Sequence, residues 1–71
     1  MFITRREKEV LFNLSEGFSS KEIGARLYIS THTVETHKRN LMAKLNAKNT
    51  THLVILAERK GWNSMHHAVS Y

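Results

Sequence analysis

Cysteine and proline are both missing from these 71 residues, and only three glycines occur. Without cysteine there is no disulfide, no thiolate zinc site and no iron–sulfur cluster, and the redox compartment leaves no trace. Aspartate is also missing, so all six acids are Glu. No apolar run approaches the roughly 18 residues needed to span a bilayer. The first ten residues bring charge too early for a secretory signal. Ordinary hydrophobic (41%) and charged (24%) fractions exclude disordered and collagen-like chains. These absences predict a cytoplasmic protein, or one module of a larger one.

A chain of 71 residues holds one small domain. At this size about 60% of the unfolded surface is buried, and the core rarely supplies more than about 3–5 kcal/mol. The fold must therefore be simple. Eleven Lys and Arg against six Glu give a formal charge of +5, an excess that predicts a polyanionic partner.

Helix starts are written in the capping residues. Thr4-Arg5-Arg6-Glu7 fits a capping box, with Val10, Leu11 and Leu14 following at helical spacing and Gly17 as the left-handed stop. Ser19-Ser20-Lys21-Glu22 is a second box, ahead of Ile23 and Leu27. Ser30 suits the N-cap of a third helix, in which Val34, Leu41 and Leu45 fall within about 40° of one another. Asn49 or Thr50 would cap a fourth, ending at Gly61. The expected helices are about 5–16, 20–28, 31–45 and 50–60. No strand alternation or internal repeat occurs, so the fold class is all-α.

Only Ile29 and Ser30 are expected between the second and third helices, and so short a link forces a sharp crossing, as in a helix-turn-helix unit. Ile23, Leu27, Ile29 and Val34 supply its apolar contacts. Gly24 costs about 1 kcal/mol against Ala inside a helix, and a close approach of the two helices would account for it.

The combination of TRRE, SKEI, IS, TV, H, N and KL at these spacings, from Ile3 to about Trp62, resembles the LuxR-type helix-turn-helix domain. That resemblance implies a four-helix domain that binds duplex DNA in the major groove and pairs through its last helix on two half-sites. It makes residues 1–62 the DNA-binding domain and residues 63–71 a tail that extends the last helix or frays. It also implies a receiver or ligand-binding domain on the N-terminal side, outside this chain. Gly24 stands where the family usually has Ala, and Thr50 and His52 where it often has Arg and Glu.

With Val34, Leu41 and Leu45 inward, the opposite arc of the third helix carries Glu35, Thr36, Arg39, Asn40 and Ala43. An Arg can fork onto guanine, a Glu can accept from cytosine, and a Thr methyl can touch thymine. Ordinary solvated residues would show the same pattern. The resemblance assigns Glu35, Thr36 and Arg39 as base readers. Lys21, Thr33, Lys38 and Lys44 are the expected phosphate contacts, helped by amides opening the second helix. For His37, at the edge between core and outer arc, the resemblance implies a packing residue whose ring also reaches a phosphate. A pH sensor is the sharper alternative for it.

Leu53-Val54-Ile55-Leu56-Ala57 is apolar on more faces than a small core needs. Leu53, Leu56 and Ala57 should close the core, leaving Val54, Ile55 and Glu58 for a twofold homodimer contact, unless Ile55 is a stray exposed aliphatic. One helix pair buries less than the roughly 1,200 Å² of a stable interface, so two copies are expected to meet only on DNA or through another domain. Trp62 is expected to cap the core.

His32, His37 and His52 do not make a ligand set, and adjacent His66 and His67 are poor partners on one ion, so neither metal nor cofactor is expected. No constellation suits an enzyme. The competing readings are a small helical protein-interaction module without DNA binding and a basic amphipathic helix on an anionic membrane. Charge spread over all four helices argues against the second.

Overall fold

The computed structural model describes residues 3–61. They form four helices: α1 (Arg5–Ser15), α2 (Ser20–Leu27), α3 (Thr31–Leu45) and α4 (Thr50–Arg59). The reading of the last residues, including Trp62 as a cap on the core, falls on positions outside the described ones.

Each start is fixed by the capping chemistry. Thr4 accepts from the Glu7 amide at 3.0 Å while the Glu7 carboxylate accepts from the Thr4 amide at 2.9 Å. Ser19 and Glu22 repeat this reciprocal pair at α2. Ser30 accepts from Thr33 N–H at α3. Asn49, not Thr50, caps α4 through His52 N–H. These side chains satisfy amides that the first helical turn leaves unpaired, so α4 starts without the family's usual Arg and Glu.

Three helices end one residue earlier than periodicity suggested, because the next residue serves as the C-cap: Glu16, Tyr28 and Lys60. Gly17 and Gly61 then take the left-handed conformation, at φ 92° and 76°. Tyr28 and Asn46 adopt that conformation themselves, at φ 60° and 56°. Asn tolerates it readily and Tyr does not; Tyr28 is 94% exposed, and the amides of Tyr28 and Ile29 both donate to the Gly24 carbonyl there. The link between α2 and α3 consequently contains Tyr28, Ile29 and Ser30.

The core combines Ile3, Val10, Leu11 and Leu14 with Ile23, Val34, Leu41, Leu45, Leu53 and Ala57. α3 packs against each of the other three helices and is thereby fixed in orientation. Gly24 has the steric role its cost implied, but the neighbour is the turn backbone: a Cβ there would lie 2.7 Å from the Ile29 carbonyl oxygen. A polar tie links α2 to α1, with Arg26 Nε donating to buried Asn13 at 2.8 Å and its guanidinium 4.2 Å from the Phe18 ring centroid.

Candidate nucleic-acid interface

The inward residues Val34, Leu41 and Leu45 turn the opposite side of α3 to solvent. Arg39, Asn40 and Ala43 are exposed there, and Glu35 and Thr36 are half-buried. His32 is exposed as well. Helical arithmetic puts His32 about 160° from Val34, on the same arc, so the wheel that selected Thr36 and Arg39 would have found it had it been extended one turn towards the N-terminus.

The three expected base readers differ in their freedom. Arg39 is exposed and makes no hydrogen bond or ion pair among the described residues. Thr36 donates its hydroxyl proton to the His32 carbonyl at 3.1 Å, which leaves its oxygen lone pairs and methyl. Glu35 is engaged: its carboxylate accepts from Ser20 Oγ of α2 and lies 3.2 Å from Lys38 Nζ. The Ser20 hydrogen bond, and after it that of Lys38, holds the Glu35 carboxyl below the ordinary carboxylate value of 4.5 against a small opposing effect of burial. The positive charges of Lys38 and Arg39 add to the lowering.

Among the expected phosphate contacts, Lys21 is exposed in the first turn of α2. The Thr33 hydroxyl is paired with Ser30 Oγ at 2.8 Å. Lys38 is tied to Glu35 and reaches Ser20 Oγ at 3.5 Å. Lys44 turns away from the outer arc and donates to Glu7 Oε1 at 2.7 Å.

Glu7 is the residue that periodicity missed. Its capping role was legible, but at 3% exposure it is also buried beneath α3. Burial pushes its carboxyl up. Hydrogen bonds from Lys44 and the Thr4 amide, with the positive fields of Lys44 and His37, outweigh that and bring it below 4.5. A capping box is usually a surface device, and nothing in its four residues announces a lysine 37 positions away.

The arrangement offers a largely solvent-facing helical strip with a guanidinium that makes no hydrogen bond or ion pair among the described residues, flanked by ammonium groups and braced from behind by the half-buried Lys44–Glu7 pair. A model of the bacterial regulatory proteins of the luxR family matches residues 1–57. The chain belongs to that family.

Relatives in the luxR family agree over most of the chain. An uncharacterized transcriptional regulatory protein, YhcZ, of Bacillus subtilis is 46% identical over 61 residues, covering 86% of this chain and 28% of its own. The transcriptional regulatory protein DegU of Brevibacillus brevis is 42% identical over 60 residues, covering 84% and 25%. The oxygen regulatory protein NreC of Staphylococcus carnosus is 41% identical over 58 residues, covering 82% and 27%. The chain thus spans about a quarter of the length of these curated relatives. No solved structure matches it. The family is one of bacterial regulatory proteins, YhcZ and DegU are named as transcriptional regulatory proteins, and the domain shared with this chain is a DNA-binding helix-turn-helix.

On α4, Leu53 and Ala57 are fully buried and Leu56 packs partly against the core. Val54, expected outward, is also half-buried against the core. Ile55 is 42% exposed and Glu58 is exposed. No helix among the described residues is long and apolar enough to cross a membrane.

Proposed function

We propose that residues 1–62 act as the DNA-binding unit of a bacterial transcription regulator, with α3 lying in the major groove of duplex DNA and reading its sequence. The observation that carries this reading is the outer arc of α3, exposed at His32, Arg39, Asn40 and Ala43 and half-buried at Glu35 and Thr36, with Arg39 in no hydrogen bond or ion pair among the described residues, while the opposite side anchors the helix to the core. A groove about 12 Å wide admits a helix, and a free guanidinium suits the two acceptors on a guanine edge.

In this reading Arg39, Thr36 and Glu35 contact bases, with His32 entering from the same arc. Lys21, Thr33, His37, Lys38 and Lys44 contact phosphates. Lys21 is immediately available, Lys38 must leave Glu35, and Lys44 must weaken its bond to buried Glu7. The phosphate contacts therefore form with unequal ease.

Two copies would bind two half-sites and meet through Ile55, Glu58 and the outer edge of Val54 on α4, with a twofold axis between them. The exposed Ile55 supports this contact, and its small area supports pairing only on DNA. The greater length of the relatives supports an additional receiver or ligand-binding domain, on the N-terminal side in the intact regulator, which would act in the cytoplasm.

Titration with a fluorescent duplex, first of random sequence and then of sequence selected by the protein, tests the reading. Binding that falls steeply with salt, together with an enriched sequence, is expected. Salt-insensitive association, or none, would favour a helical protein-interaction module instead.

A further inference from the structure

Ser20 opens α2, and Glu35 and Lys38 stand one turn apart on α3. Folding brings the three into one cluster at the edge of the outer arc. The Ser20 hydroxyl donates to Glu35, while Lys38 Nζ lies 3.2 Å from Glu35 Oε2 and 3.5 Å from Ser20 Oγ. A hydroxyl and an ammonium side by side make a cradle for an anion, and here the chain's own carboxylate fills it. A DNA phosphate would ask for the same two donors.

We propose that Glu35 is an internal counterion that withholds Lys38 and Ser20 from phosphates on unselected duplex and releases them when its carboxylate finds a base-edge amino donor. Base recognition and phosphate contact are thereby coupled, and Glu35 determines specificity beyond its own hydrogen bond. The proposal rests on the major-groove reading of α3.

The exchange is physically accessible. The Glu35 side chain is 43% exposed and that of Lys38 20%, and ion pairs so near solvent hold weakly. A cytosine amino group presented in the groove gives the carboxylate a replacement partner. On a duplex without such a donor, freeing Lys38 leaves a carboxylate facing phosphates with nothing to neutralise it, so the pair stays closed and one phosphate contact is missing. Discrimination then comes as much from the penalty on wrong sequences as from attraction to the right one.

Salt titrations of the full chain test this with Lys38→Met, Glu35→Ala and the double variant, each first checked for helical content and melting. On mixed-sequence duplex, Lys38→Met should weaken binding by leaving Glu35 unneutralised but flatten the slope of log affinity against log salt by much less than about 0.9, and Glu35→Ala should steepen it by about 0.9 and tighten binding. Adding Lys38→Met to Glu35→Ala should remove that gain. On a duplex selected by the wild type, Lys38→Met alone should flatten the slope by about 0.9. Equal flattening by Lys38→Met on mixed sequence with and without Glu35 would overturn the proposal alone. So would tighter binding by Glu35→Ala that survives loss of Lys38, because simple removal of negative charge would then explain it. Wild-type chain that binds no duplex at any salt would overturn the underlying reading as well.

Discussion

Lys44 Nζ donates to Glu7 Oε1 at 2.7 Å and so joins the last turn of α3 to the first turn of α1. The same oxygen accepts from the Thr4 amide, so one buried carboxylate caps a helix and braces the helix that faces solvent. Sequence separation hides this pair, yet it adds a polar tie to the apolar packing that holds α3.

Acid should loosen the fold through Glu7. Its folded-state value lies below the ordinary 4.5, so its ionised form contributes stability that is fully present above 4.5 and lost as pH falls through the lower folded value. Urea unfolding from neutral pH downward should show the wild type losing more stability than Glu7→Gln in this acid range. At neutral pH Glu7→Gln should cost about 1–3 kcal/mol by leaving Lys44 without its charged partner. Parallel curves for the two proteins would contradict the assignment.

Gly24→Ala would bring the family's usual residue and a gain of about 1 kcal/mol in helix propensity. The added Cβ would sit 2.7 Å from the Ile29 carbonyl oxygen, which is backbone and cannot swing aside. Net destabilisation of about 1–3 kcal/mol is expected, by analogy with overpacked cores. A raised unfolding midpoint would mean that the turn relaxes.

Arg39→Ala and Lys21→Ala should separate sequence reading from general attraction. The first should reduce discrimination at one base position by about 1–3 kcal/mol, visible as a flattened preference in selection from random duplexes. The second should weaken binding to every duplex alike and flatten the salt slope by about one unit. An unchanged sequence preference in Arg39→Ala would remove that residue from the set of base readers.

Ile55→Lys tests the α4 contact. Because Ile55 is 42% exposed, the monomer should keep its stability within about 0.5 kcal/mol. Sedimentation on a duplex carrying two half-sites should show two copies for the wild type and loss of cooperative pairing for the variant. Equal pairing by both would place the contact elsewhere.

Much of the architecture could be read along the chain because its determinants are local. Thr4, Ser19, Ser30 and Asn49 each satisfy amides within three residues, and the apolar spacing of Val34, Leu41 and Leu45 turns the rest of α3 outward by geometry alone. Helix ends were less legible. Gly17 and Gly61 announce their left-handed conformation, whereas Tyr28, a residue that rarely adopts it, takes it at φ 60° where the chain turns from α2 to α3.

Composition and periodicity thus determined the helices, the basic character and the side of α3 that faces outward, since each depends on neighbours a few residues away. Tertiary structure decided which of those charges gain a partner on another helix. Lys38 is held by Glu35 and Ser20, Lys44 by Glu7, and Arg39 makes no hydrogen bond or ion pair among the described residues. Two of these ties join different helices across 18 and 37 positions. A charge at such a distance becomes a partner only after packing has removed the water and chain entropy that keep it apart.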